Sequence, residues 1–335
     1  MQENTAQTRR FSLKLNHEIA SDGAEVRLWL PLVLKTPYQY PISMYELSSN
    51  ATKQFVCGEL IPTYYAEFSS LEKSAYFRLN FEVQIRERNT DFSKVNFNEN
   101  ERLRPDVEEF LKPSAQSGIV KQKSDEIAGG IKGDLEKARA IYEWVAKNMS
   151  RDNGVVACGI GDAEAILNSG KLSGKCADIN SVFVELCRAS GIAARAMFGI
   201  RMGTAKKFSS EMGVVGGASG GTIEISGAQH CRAEFYLKGY GWIPVDPADV
   251  AKVRLGENLS EDDSKLARVR EYLFGNWEPC WVGFNYARGV ILNPRPAHIP
   301  LDKFSHPYCE VGGEIKDPYA SQSFRYQYTA SEIFS

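Results

Sequence analysis

One segment limits what this chain can fold into more than any other. It is Gly174-Lys175-Cys176-Ala177-Asp178, with the run from it to Gly191. Residues 168–175 contain Ser169, Gly170, Ser173 and Gly174, which is a loop composition. After Cys176, the residues Ile179, Val182, Phe183, Leu186 and Ala189 recur at steps of three and four. That spacing predicts a helix with one apolar stripe, ended by Gly191. A cysteine therefore stands in the first turn of a helix that must be buried along one face. Unpaired N–H groups and the positive end of the helix dipole favour a thiolate there. A thiolate is a nucleophile, and a nucleophile needs a base.

The rest of the chain bounds what that base can serve. A formal net charge of -2 gives no broad attraction to nucleic acid or to anionic membranes. No apolar run approaches the roughly 18 residues that span a bilayer. The start, MQENTAQTRR, lacks the apolar centre of a signal peptide and suits the mature start of an exported protein with an added Met. The seven cysteines, at 57, 158, 176, 187, 231, 280 and 309, include no Cys-x-x-Cys pair. They form neither a dense disulfide framework nor a zinc-ligand spacing.

The first hundred residues have period two. Phe11, Leu13 and Leu15 alternate with polar residues, as do Val26, Leu28, Leu30, Leu32 and Leu34, where Pro31 suggests an edge strand. Phe77, Leu79, Phe81, Val83 and Ile85 give the strongest strand signal in the chain. Residues 1–100 thus read as an antiparallel β-domain without chemistry of its own. A polar, Asn- and Pro-rich stretch follows, and residues 101–335 read as a second domain. In it, Asp134 looks like the N-cap of a helix carrying Leu135, Ala138, Ile141, Tyr142, Val145 and Met149, and Asp162 looks like the N-cap of another. Residues 194–200 suggest a buried strand. Gly213 to Gly221 contains five glycines without a phosphate-loop pattern and reads as a mobile loop. From Trp277 onward, aromatic and proline-rich segments read as strands closing the sheet.

The base is sought among four histidines. On an extended strand His230, Arg232 and Glu234 share one face, with Cys231 and Ala233 on the other. Adjacent His230 and Cys231 therefore point apart, which disfavours a shared metal. A hairpin around Gly239-Tyr240-Gly241 can bring Asp246 into the neighbourhood of His230, where a carboxylate orients an imidazole and stabilises its cation. Each member has a bland alternative. Cysteine is often a small buried hydrophobe, and Asp246-Pro247 is a common turn pair. Asp178 reads best as a helix-start residue and Arg195 as structural. Cys187 lies about three turns from Cys176 on the same helix, too far for the same site.

These residues carry a resemblance. Gly174-Lys175-Cys176-Ala177-Asp178, with Phe183, Leu186-Cys187-Arg188-Ala189 and Gly191-Ile192-Ala193-Ala194-Arg195, resembles the cysteine motif of the transglutaminase-like superfamily. His230-x-x-x-Glu234-x-Tyr236 and Gly241-Trp242-x-Pro244-x-Asp246-Pro247 resemble its histidine and aspartate motifs, in the same order. The helix with Ala140-Ile141-Tyr142-Glu143-Trp144-Val145 looks like the family's lead-in helix, so the resemblance covers roughly residues 130–255. One departure is Arg232, where the family has an aromatic residue two after the histidine.

The resemblance implies an α+β fold. Its papain/transglutaminase-like core is a cysteine-bearing helix packed on an antiparallel sheet, here preceded by the N-terminal antiparallel β-domain. It also implies a catalytic Cys176, His230 and Asp246 and a cysteine-dependent amide hydrolase working through a thioester. The substrate would be a protein or peptide, without nucleic acid or a membrane span. The alternatives are a glutamine acyltransferase that forms isopeptide bonds and a non-catalytic binding module. No cofactor is implied, and no EF-hand-like acidic loop for calcium is present. A resemblance to exported bacterial members is what suggests a periplasmic location.

Overall fold

The two clearest period-two segments pair with each other. In the computed structural model, Phe11, Leu13 and Leu15 on the strand Thr8–Ala20 lie opposite Val83, Phe81 and Leu79 on Ser74–Arg86. Alternate side chains are buried along both strands. A slip of one residue would turn each of these side chains to the opposite face, so the alternation sets the register. The described residues are 6–71, 73–94, 101–113, 118–215, 221–298, 301–318 and 324–334. The glycine loop expected at 213–221 therefore falls mostly outside them.

These strands belong to a five-stranded sheet. Its order is Thr222–Glu224, Phe324–Ile333, Thr8–Ala20, Ser74–Arg86, Gln39–Ser49. A second five-stranded sheet runs Glu314–Lys316, Tyr308–Val311, Val26–Pro31, Thr63–Phe68, Lys53–Cys57. Phe11, Leu13, Phe77 and Leu79 from the first share one apolar core with Val26, Leu28, Tyr64 and Phe68 from the second. Two expectations change here. Strand Val26–Pro31 is central, paired on both sides, and Pro31 is its last residue rather than the mark of an edge. The sheets also cross residue 100, because strands from the last thirty residues complete both of them.

The second layer set is mixed. A four-stranded antiparallel sheet runs Gly241–Val245, Gln229–Leu237, Ala194–Arg201, Trp281–Asn285. Helices Asp134–Asn148, Cys176–Ala189 and Pro247–Gly256 pack on it around one core. Val282 and Phe284 on the far side of this sheet enter the sandwich core, which joins the two layers. The α+β class and the cysteine helix on an antiparallel sheet are as the sequence implies. The Cys176 helix is buried on more than one stripe: Asp178, Asn180, Ser181 and Glu185 are buried along with its apolar residues. It is a central helix with neighbours on several sides, not a surface helix. Gly191 ends it with φ 83°, the Ile192 N–H closing onto the Cys187 carbonyl. The Asp134 helix is capped one residue earlier than expected, at Gly133, with Asp134 in its first turn. Asp162 caps the next helix through the Ala165 N–H.

Candidate active site

The start of the Cys176 helix is fixed by Asp178. Its carboxylate accepts the Lys175 N–H at 2.9 Å and the Gly161 N–H at 2.8 Å, tying two loops to the first turn. Gly174 has to lack a side chain, since a Cβ there would stand 2.4 Å from the Asp178 Cβ. Asp178 is thus a helix-start residue, as its position suggests. Cys176 is 4% exposed. It opens onto a pocket of about 320 Å³ lined also by Cys158, Lys175, Arg201, His230 and Lys252. A larger cavity of about 800 Å³ runs along Ser181, Val184, Glu185 and Arg288 and includes none of Cys176, His230 and Asp246.

His230 and Asp246 meet because of hairpin register. Ala233 lies opposite Val245, with Gly239 and Gly241 at positive φ in the turn, so Asp246 leaves the hairpin beside Arg232 and within reach of His230. His230 Nε2 is 2.7 Å from Asp246 Oδ2. The other Asp246 oxygen accepts the Asp249 N–H at 3.1 Å and caps the helix that starts at Pro247. The turn-pair reading of Asp246-Pro247 and the orienting role are therefore compatible in one side chain. With Nε2 committed to Asp246, Nδ1 is the nitrogen left for the thiol.

The Cys176 helix packs on the face of the His230 strand that carries Cys231, Ala233 and Phe235, and Asn180 Nδ2 donates to the Cys231 carbonyl at 2.8 Å. The sulfurs of Cys158, Cys176 and Cys231 all lie within 4.8 Å of one another. His230 reaches Cys176 from the first residues of the strand. Hydrogen bonds from the Cys158 and Cys231 thiols, then the hydrogen bond and charge of His230, hold the Cys176 thiol well below its usual range against burial. The neighbours pay for this: the bond to Cys176 and burial push the Cys158 thiol well up, and the bonds to Cys158 and Cys176 together with burial do the same to Cys231.

Burial and the Arg201 charge lower His230, but the charges of Asp249 and Asp246 and the bond to Asp246 outweigh them, so its pKa is raised. Asp249 was missed at the sequence level. Its Oδ1 is 3.6 Å from His230 Nε2, and Arg201 grips it at 2.5 and 3.1 Å. Burial would raise Asp249, yet Arg201 holds it far below the usual carboxylate range. A signal existed: Asp246 and Asp249 stand three apart, which puts both carboxylates on one helical turn. Arg201 and Cys158 had no comparable signal.

Arg232 is 1% exposed, with its guanidinium 4.9 Å over Trp281 and 5.3 Å over Trp277 and its Nε 3.3 Å from Asp246 Oδ2. It lies under the carboxylate rather than along the pocket. Arg195 is structural, bound to Glu234 at 2.7 Å and stacked on Trp242 and Tyr286. Cys187 is fully buried away from the site. Burial takes His17 down to about 3. Burial and Lys303 take His306 down to about 4, although the Cys176 charge reaches it. No helix among the described residues is long and apolar enough to cross a membrane.

Comparisons with known proteins agree with this architecture. A protein of Haemophilus influenzae with no assigned function is 50% identical over 233 residues, which is 68% of this chain. The chain spans only about 63% of that relative's length. A crystal structure of a candidate cysteine protease from Cytophaga hutchinsonii superposes with a TM-score of 0.58 over 98% of this chain and 92% of that one, at 14% identity, a likeness of fold. Residues 121–247 match the transglutaminase-like superfamily, so this part of the chain is a transglutaminase-like domain.

Proposed function

We propose that the protein is a cysteine-dependent amide hydrolase with Cys176 as nucleophile, His230 as base and then acid, and Asp246 as orienter. The observation that carries this reading is the 2.7 Å bond between His230 and a carboxylate, beside a cysteine at a helix start. The Cys176 thiolate attacks an amide carbonyl, and the backbone N–H of Cys176 meets the resulting oxyanion. The His230 imidazolium gives its proton to the leaving amine as the C–N bond breaks, leaving a thioester. Neutral His230 then takes a proton from water, the oxygen attacks the thioester, and the acid leaves as thiolate and imidazolium are restored. The resemblance to exported bacterial members, separately from the chemistry, supports a location outside the cytoplasm, which cell fractionation checks.

Labelling tests the thiolate. Cys57 is more exposed than Cys176, and burial raises its thiol. Cys176 should nevertheless react faster with iodoacetamide near neutral pH. Equal or slower labelling by mass spectrometry would sink the thiolate. Screening a peptide library with Cys176→Ala beside the wild type tests turnover, which the variant should lack. A glutamine peptide offered with a labelled primary amine separates the two acyl fates: free acid marks a hydrolase, and incorporated label marks an acyltransferase.

A further inference from the structure

The three thiols at the site come from separate segments: a loop (Cys158), the first residue of a helix (Cys176) and the third residue of a strand (Cys231). The catalytic reading uses only one of them as a reacting group. We infer that Cys158, Cys176 and Cys231 form a trithiolate site for a zinc-class cation, with the nucleophile as one ligand. Tetrahedral zinc with Zn–S bonds near 2.3 Å needs sulfur–sulfur edges of about 3.8 Å. At the 4.8 Å bound on their separations, the three sulfurs need to close by only about an ångström. A disulfide would have to bring two of them to about 2.05 Å inside a packed core and would leave the third without a role.

The supporting frame is cross-tied. The Cys158 carbonyl accepts the Ala177 N–H at 2.8 Å, and the Cys231 carbonyl accepts from Asn180 at 2.8 Å, so both flanking cysteines are fixed to the helix that carries Cys176. Cys158 and Cys176 line the pocket, which gives the ion an entry and leaves a fourth position for water. Three thiolates and one divalent ion carry one negative charge, and Arg201 and Lys252 line the same pocket. The other buried trio, His230, Asp246 and Asp249, is a poorer metal site, because Arg201 already occupies both Asp249 oxygens. Bound metal would take the nucleophile's lone pair. That consequence rests on the proposed function; the binding itself does not.

The test uses the full chain, reduced with a phosphine and kept anaerobic, titrated with Co²⁺ and then Zn²⁺ against a chromophoric chelator. One equivalent should bind with a thiolate-to-cobalt charge-transfer band, and Zn²⁺ should erase that band and block iodoacetamide labelling of Cys176. Loss of an outer-shell partner costs ten- to a hundredfold in affinity, so Cys158→Ser and Cys231→Ser should each weaken Zn²⁺ by about a hundredfold or more. Cys57→Ser should change nothing. A missing band, or a band unchanged in both serine variants, overturns the site. X-ray absorption of the wild-type zinc complex keeps the test open if a variant does not fold: three sulfurs near 2.3 Å support the site, and fewer overturn it. None of these readouts uses turnover, so a protein that binds metal this way but cleaves no amide loses the proposed function and keeps this site.

Discussion

One strand carries buried charge at both ends, and the two ends are treated differently. Glu234 is fully buried and held by two arginines, Arg88 and Arg195 at 2.7 Å, each stacked on aromatic rings. Every charge there has a geometric partner. Four residues earlier, His230 sits between Asp246 and Asp249, Arg201 takes Asp249 in a bidentate grip, and the Arg232 Nε faces Asp246 without a hydrogen bond. Glu234 is pulled below its usual range because the charges and bonds of its arginines outweigh burial. Asp246 is raised, because burial and the Asp249 charge outweigh His230 and Arg232. A saturated network stabilises one geometry and one protonation state. A network left short of a bond keeps a proton movable, as acid–base chemistry requires.

Substitutions can break this contrast, and the largest effect is expected at the movable end. His230→Ala should lower kcat/KM by roughly a thousandfold or more while thermal unfolding moves little. Asp246→Asn should cost about 10²–10⁴ in kcat and reshape the pH profile. Wild-type activity needs thiolate and imidazolium together. It should fall toward acid as the lowered Cys176 thiol protonates, and toward alkali as the raised His230 loses its proton. Asp246 contributes to the rise of His230, so the Asn variant should move the alkaline limb to lower pH; an unmoved limb would remove Asp246 from that role.

At the saturated end the effect should appear in stability. Glu234→Gln leaves two buried guanidinium groups short of their counter-charge and should cost about 3–5 kcal/mol in urea unfolding. Its folded pKa is lowered, so this stabilisation is present above the unfolded carboxylate value and lost as pH falls through the folded one. The gap between wild type and Glu234→Gln should therefore close in acid. The smallest expected effect is Asp178→Ala, about 1–2 kcal/mol for the lost helix-start bonds, with slower Cys176 labelling as the first turn loosens.

The sequence made one half of the site legible. Helix periodicity and a flanking glycine placed Cys176, and the strand and hairpin pattern placed His230 near Asp246. The same local signals gave the long strands of the sandwich, though not their partners, since alternation specifies a face. Partners brought together only by packing were not legible. Cys158 and Cys231 are far apart in sequence, and Arg201 reaches Asp249 from a neighbouring strand end, so no spacing rule connects them. Pro31 misled because its missing N–H matters inside a strand and not at its last residue.

The pairing of Thr8–Ala20 with Phe324–Ile333 also has a kinetic side. A ribosome releases the first of these strands long before the second exists. Until then the early strand can close on Ser74–Arg86 but has an open flank, a template for pairing with other nascent chains. Non-local closure of this kind is slow. Assembly of the sandwich therefore waits until residues 324–333 have emerged, and that stretch acts as its last clasp.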